Sequence, residues 1–170
     1  MAPDDHPPQP LKRSFPPVVN EAVRLLVLGS LPGDRSLAAT RYYAHPRNQF
    51  WRLMGAVIEA DLAALDYSRR LEMLLRARVG LWDSVGSAIR QGSLDGNIRG
   101  HEPNPLAELV ERLPELGAIG FNGASSARIG MKALGEQSRF ELLLLPSSSP
   151  AYTLPFEQKR EAWLRLRNYL

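Results

Sequence analysis

The 170-residue chain contains no cysteine. Disulfides, iron–sulfur clusters, thiolate zinc sites and a thiol nucleophile are therefore excluded. Histidine is scarce, with three residues, and His6 falls in a proline-rich tail, which leaves little for a metal site. Of the 21 basic residues only Lys12, Lys132 and Lys159 are lysine. The positive charge is nearly all arginine, the side chain suited to bidentate phosphate contacts. No Gly-Lys-Ser or Gly-Lys-Thr, no Gly-x-Ser-x-Gly elbow and no G-x-G-x-x-G in the first loop occurs, so phosphate loops, serine triads and dinucleotide folds find no support. No apolar run reaches membrane-spanning length; the one around Leu142–Leu145 suits a strand. The amino terminus, MAPDDHPPQPLKR, has no apolar stretch and is not a secretory signal.

What remains is a soluble composition, 44% hydrophobic and 23% charged, with a net charge of +3. The length suits one domain with a sizeable core. The mild basic balance fits nucleic acid without demanding it. Residues 1–16 are expected to be a disordered proline-rich tail and 17–170 a single domain. A cytoplasmic monomer is the default expectation.

Four apolar segments predict strands: Leu25–Leu28, Val79–Trp82, Ala118–Phe121 and Phe140–Leu145, the last an unbroken run expected to be covered on both faces. Between them, helices are expected over Asn48–Ala60, from Ser68 to Arg78, briefly over Ser84–Gln91, after an Asn104 cap, over Ser125–Leu134 and over Phe156–Tyr169. Ser36 is read as the cap of a short helical turn from Leu37. The alternation predicts a three-layer α/β/α sandwich with a central four-stranded parallel sheet. Ligands bind beyond the carboxyl ends of such strands. Gly29–Gly33, Asp83, Asn122 and Ser147–Ser149 stand at those ends and should converge on one cleft.

The stretch Leu25–Trp51 organises that cleft. After the first strand, Gly29, Pro32 and Gly33 hold a tight backbone around Ser30 and Leu31. Tyr42, Tyr43, His45, Arg47, Asn48, Phe50 and Trp51 then crowd into ten residues. Aromatic faces beside hydrogen-bonding groups are what recognition of a planar heterocycle requires. The same residues have plainer readings: Phe50 and Trp51 as the buried start of a helix, Asn48 as its cap, Asn122-Gly123 as a turn, and Asp83 as the cap of a helix at Ser84.

In order along the chain, GSLPGDRSL, YYAHPRNQFW, GLWDSV, GSLDGNIR, FNG and LPSSSPA resemble the uracil-DNA glycosylase superfamily, closest to the hypoxanthine-DNA or deoxyinosine glycosylase branch known as family 6. The resemblance spans Leu25 to the carboxyl terminus. It implies removal of a deaminated base, uracil or hypoxanthine, flipped out of DNA, with no cofactor and no metal. It carries the catalytic asparagine of the HPRN segment onto Asn48, which would position water through its side-chain oxygen beneath an oxocarbenium-like sugar. It carries a second functional asparagine onto Asn122, whose carboxamide can read a base edge, with Asp83 as a further edge reader.

Tyr43 or Phe50 would stack on the base, and the width beside Tyr43 and Leu31 would choose pyrimidine or purine. His45 would steady the leaving base or touch a phosphate. Ser30, Arg47, Ser147, Ser148 and Ser149 would contact the DNA strand, and Arg99 could approach a phosphate. Two positions depart from other branches: Leu31 stands where a water-activating Asp or Asn is expected, and Leu145 where a histidine is. The leading expectation is a monofunctional glycosylase, because Lys132 and Lys159 fall on helices and leave no lysine for a Schiff base. A non-catalytic binder of deaminated or abasic DNA is the alternative, and a nucleoside hydrolase a third reading.

Overall fold

Aliphatic, aromatic and glycine residues make up most of three short segments, and each is buried along its whole length as a strand. The computed structural model describes residues 9–136 and 139–170, so the first eight residues of the expected tail lie outside the described residues. In chain order the elements are β1 (Leu11–Arg13), β2 (Leu25–Gly29), α1 (Asp34–Ala39), α2 (Phe50–Ile58), α3 (Tyr67–Arg76), β3 (Val79–Asp83), β4 (Val85–Arg90), β5 (Ile98–Pro103), α4 (Leu106–Glu111), β6 (Ala118–Asn122), α5 (Ala124–Leu134), β7 (Glu141–Leu145) and α6 (Phe156–Leu164).

The four expected strands form one parallel sheet in the order β3-β2-β6-β7. Alternation along each strand divides the core. Leu25, Val27, Val79, Leu81 and Ala118 pack with Phe50, Leu53, Met54, Leu74 and Trp163 from α2, α3 and α6. Leu26, Leu28, Trp82, Ile119 and Phe121 pack with Leu106, Leu109, Val110, Ala127 and Leu134 from α4 and α5. The three-layer sandwich expected from the sequence is therefore the observed one. The chain leaves β2 toward β3 on one side and later reaches β6 on the other, so the crevice beyond β2 and β6 is a topological switch point.

Several local expectations are corrected. Leu11–Arg13, assigned to the disordered tail, pairs antiparallel with β4, and ordered structure starts well before Pro17. Lys12 explains part of this, because its ammonium reaches Asp34 of α1 and the carbonyl of Gly92. Ser84–Gln91 is no helix: β4 is the centre of a second, antiparallel sheet, β1-β4-β5. The alternating Val85, Ser87 and Ile89 suit a strand, and pairing on both edges decides the matter. Strand β7 is an edge strand rather than a covered one, with Leu144 54% exposed. Its apolar run misled because it pairs with β6 alone.

The predicted caps also moved. Asp66, two residues before the expected Ser68, accepts from the Arg69 amide and caps α3. Asn104 caps nothing; its amide donates to the carbonyls of Asp83 and Val85 and to Ser14 Oγ. Ser36 lies inside α1 and accepts from the Ala44 amide. The final helix ends at Leu164 and continues as a 3₁₀ segment over Arg165–Tyr169, with Trp163 and Leu166 sealed and Leu170 exposed.

Candidate active site

The carboxyl ends of the parallel strands open into a cleft of about 430 Å³. Gly29–Gly33, Tyr43, His45, Asn48, Asp83, Asn122 and Ser147–Ser149 all line it, so the convergence expected from strand ends is observed. A volume of this size suits a single base with its sugar.

One wall is the first loop. Ser30 and Leu31 are buried, and Leu31 packs against Val85, Ala88 and Ile129. The loop is fixed by a side chain that sequence reading passed over. Arg90, sealed at 2% exposure, donates to the carbonyls of Leu31, Pro32 and Gly92 at 3.2, 2.6 and 2.8 Å. Its guanidinium also lies 3.7 Å from Asp34. Ser30, expected at the DNA strand, instead donates to Asp95 Oδ1 at 2.6 Å, tying the loop to the β4–β5 connection.

The aromatic segment forms the next side. Tyr43 has a left-handed backbone, φ 52°, a conformation rare for a bulky residue and held here by its surroundings. Its ring stacks on Phe50 at 3.8 Å and 12°, and Trp51 Nε1 donates to its carbonyl. Phe50 is fully buried and lines no part of the cleft, which corrects its assignment as a base contact. It backs Tyr43 and occupies one face of that ring, so a bound base can meet only the other face or the edge.

Asn48 lines the cleft, and its Oδ1 accepts from the Phe50 amide at 2.9 Å at the start of α2. Gln49 holds the cap position of α2, and the bond from the Phe50 amide leaves the Asn48 carboxamide oxygen a second lone pair. His45 Nδ1 accepts from the Arg47 amide, which leaves Nε2 to carry the proton. Partial burial, with Arg35 and Arg47 nearby, pushes its pKa down, so the ring is a neutral donor at neutral pH. Arg47 itself is exposed and lies outside the cleft lining.

Opposite stands a neutral network. Asn122 accepts from the Ser148 amide at 2.8 Å and donates to Ser148 Oγ at 2.9 Å and Tyr43 Oη at 3.3 Å. The Ser148 carbonyl accepts from the Gln49 amide. Ser148 is sealed at 1% exposure, so its hydroxyl braces the loop rather than meeting a DNA strand; Ser147 and Ser149 are the more accessible pair. Gly123, at φ +98°, brings the end of β6 against Ser147, where a Cβ would stand 3.3 Å from that side chain.

Asp83 lies between the two walls. It is 3% exposed, and its side chain makes no hydrogen bond to any described residue. Burial, then the charge of Asp95, pushes its pKa up to about 7, against a smaller opposing pull from Arg90. Burial likewise raises Asp95. Gly29 must be glycine beside it: a Cβ there would stand 2.5 Å from Asp83 Oδ1 and 2.9 Å from Tyr43 Oη. The Asp83 cap reading fails because β4, not a helix, follows.

Asp95, which lines the cleft, and Arg90, which fixes its first loop, are site residues that sequence reading missed, and Ser36 was read only as a cap. Asp95 sits in the GSLDGNIR motif, so attention to which motif residue could fold back over the first loop was the available signal. Arg99, offered as a phosphate contact, donates to carbonyls of its own hairpin and lies outside the cleft.

Residues 16–168 match the Uracil DNA glycosylase superfamily. Hypoxanthine DNA glycosylase of Methanosarcina barkeri is 39% identical over 154 residues, covering 89% of this chain and 95% of that protein. Hypoxanthine DNA glycosylase of Methanosarcina acetivorans is 38% identical over 154 residues, covering 89% and 94%. The solution NMR structure of a candidate uracil DNA glycosylase from Methanosarcina acetivorans superposes with a TM-score of 0.82 at 36% identity, over 94% of this chain and 98% of that one. With the fold, the cleft and these likenesses in agreement, the chain belongs to the uracil DNA glycosylase superfamily and is a DNA glycosylase.

Proposed function

We propose that this DNA glycosylase hydrolyses the N-glycosidic bond of a deaminated base, hypoxanthine foremost and uracil second, after the nucleotide flips out of DNA, and leaves an abasic site. It works as a cytoplasmic monomer with water as its only co-substrate. The observation that carries this reading is the convergence of Tyr43, His45, Asn48, Asp83 and Asn122 on one cleft sized for a base. The likeness to two hypoxanthine DNA glycosylases supports a purine over a pyrimidine.

In this reading the open side of Tyr43 stacks on the base. Asn48 holds the attacking water with the second lone pair of Oδ1, the first being tied to the start of α2. A fixed backbone amide on one side makes that oxygen a rigid acceptor, and positioning is what an oxocarbenium-like sugar asks of its nucleophile. His45 offers Nε2–H to the leaving base or to a phosphate. Asn122 reaches the base edge by exchanging its Tyr43 partner, and Ser147 and Ser149 contact the DNA strand with Arg47 beside them. No lysine lines the cleft among the described residues, which supports a monofunctional enzyme.

The test is a duplex oligonucleotide carrying one deoxyinosine or one deoxyuridine, treated with protein and then hot alkali. Strand cleavage at deoxyinosine is expected, with Asn48→Ala slowing it on the order of 100-fold. Absence of cleavage at either base, in single or double strands, would overturn the reading.

A further inference from the structure

Asp83 is the one carboxyl in the cleft whose side chain has no hydrogen-bond partner among the described residues. It closes the end of β3, and its backbone is fixed: the Asp83 carbonyl accepts from Asn104 Nδ2 at 2.8 Å. Side-chain oxygen Oδ2 is sealed from solvent with no partner at all. Oδ1 is therefore the oxygen the residue can present, and it lies over Gly29 in the space it shares with Tyr43 Oη. A carboxylate needs donors around both oxygens when it is taken out of water. None is supplied here, and the surroundings favour a neutral carboxyl that can itself donate.

We propose that Asp83 is the general acid of the reaction, giving its proton from Oδ1 to the imidazole-ring nitrogen N7 of a flipped purine as the base departs. This inference rests on the glycosylase reading and adds to it the step that makes the base a good leaving group. The C1′–N9 bond breaks with its electron pair passing to the base, N7 gains the Asp83 proton, and hypoxanthine leaves neutral. Water adds to C1′ of the oxocarbenium-like sugar, and the proton it loses returns to the Asp83 carboxylate. Atoms and charge balance with no other reactant.

The chemistry selects its substrate. A purine carries a basic lone pair at N7 that an acid titrating near neutrality can protonate. Uracil carries no such ring nitrogen, and its carbonyl oxygens are far too weakly basic to accept. Asp83 therefore assists purine excision and does little for uracil, which gives this cleft a bias that shape alone would not.

The groups facing Asp83 come from three elements. Asp95 and Arg90 belong to the β4–β5 hairpin and pull its acidity in opposite senses, with Asp95 the stronger. Tyr42 and Tyr43 precede α2 and stay protonated throughout the working range, because burial raises both. Asn122 of β6 is neutral. Burial sets the raised pKa of Asp83, and among the facing charges the hairpin's Asp95 and Arg90 adjust it.

Single-turnover excision of deoxyinosine and deoxyuridine from duplex oligonucleotides between pH 5.5 and 9 tests this. The wild-type rate on deoxyinosine should fall as pH rises through about 7. Asp83→Asn should slow that reaction on the order of 100-fold and flatten the profile, with binding of the deoxyinosine duplex retained and a loss on deoxyinosine well beyond that on deoxyuridine. Asp95→Asn, which removes the charge that holds the Asp83 proton on, should shift the falling limb to lower pH. An Asp83→Asn enzyme that keeps the wild-type rate and limb, or loses both bases equally, overturns the inference while leaving the glycosylase reading intact. A wild-type enzyme that excises neither base brings down the glycosylase reading and this step with it.

Discussion

The two walls of the cleft are held by different kinds of bond. The first-loop wall is held by charge: Arg90 clasps three carbonyls, Lys12 reaches Asp34 and Gly92, and Ser30 anchors to the Asp95 carboxylate. The last-loop wall is held mainly by neutral groups: the Asn122–Ser148 pair, the Gln49 amide on the Ser148 carbonyl, and Trp163 Nε1 on the Pro146 carbonyl. Its one charge is Lys159 Nζ, which donates to the Ser149 carbonyl from behind, with burial lowering its pKa. Asp83 stands beside the charged wall and titrates with it. The lesson is a division of labour, in which one side of the pocket responds to pH and the other holds Tyr43 and the last loop in place across the working range.

The largest effect should come from Arg90→Met. Shape is roughly kept, but the Leu31 and Pro32 carbonyls lose the Arg90 donor, while the Gly92 carbonyl and Asp34 keep Lys12. Hydrogen bonds from a charged donor contribute about 1.5–3 kcal/mol each, so losing two of them to buried carbonyls should cost roughly 3–5 kcal/mol. Urea unfolding should show this, and the first loop should exchange its amide hydrogens faster while the last loop does not. Equal loosening of both loops would erase the contrast between the walls.

Asp83→Asn should act almost as strongly, with the opposite sign. Burial lifts the folded-state pKa to about 7 from the ordinary 3.8 of a free aspartate, so the charged form is disfavoured by folding. As pH rises from about 4 to 7 the unfolded chain gives up this proton first, and the native state loses stability across that window. Asparagine removes the penalty. The variant should gain nothing near pH 4 and up to about 4 kcal/mol above pH 7. Stability measured at both ends of the window checks the sign. A gain at neutral pH joined to slower deoxyinosine excision would mark a group kept for chemistry at the expense of the fold.

Asn122→Ala tests the neutral wall. Ser148 N and Oγ and Tyr43 Oη lose their partner, and leaving buried polar groups unsatisfied costs about 1–3 kcal/mol. The cost should be the same at pH 5 and pH 8, because no group in the network titrates between them. Tyr43, whose left-handed backbone depends on its surroundings, should lose its fixed stacking on Phe50, and excision should fall with it.

How much of this was legible in the sequence divides along the same line. The parallel sheet was readable because β2, β3 and β6 are apolar without interruption, and burial on both faces leaves that mark. Cleft residues at strand ends, Asp83 and Asn122 among them, followed from topology alone. The hairpin was not readable: Val85–Arg90 carries glycine and serine, and only pairing with β1 and β5 makes it a strand. Arg90 and Asp95 were missed for that reason, since their roles depend on a fold-back that no local pattern announces. Phe50 was misplaced because adjacent aromatics look alike in sequence, whereas the start of α2 turns Phe50 inward and leaves Tyr43 at the opening.

Ser30→Ala should have the smallest effect and gives the most discriminating comparison. The hydroxyl donates to Asp95 Oδ1 at 2.6 Å and opposes the upward push of burial on that carboxyl. A bond of this kind contributes about 1 kcal/mol, more when the acceptor is ionised than when it is protonated. The loss in Ser30→Ala should therefore be present where Asp95 is charged and shrink as acid protonates it. Ser148→Ala removes a hydroxyl of the same size from the other wall, where the partner is an amide, and its cost should not vary with pH. Thermal melting of the two variants across acid and neutral buffers separates them. Parallel curves would mean that the first-loop wall is not held through the Asp95 charge, and the hairpin would then have no lever on Asp83.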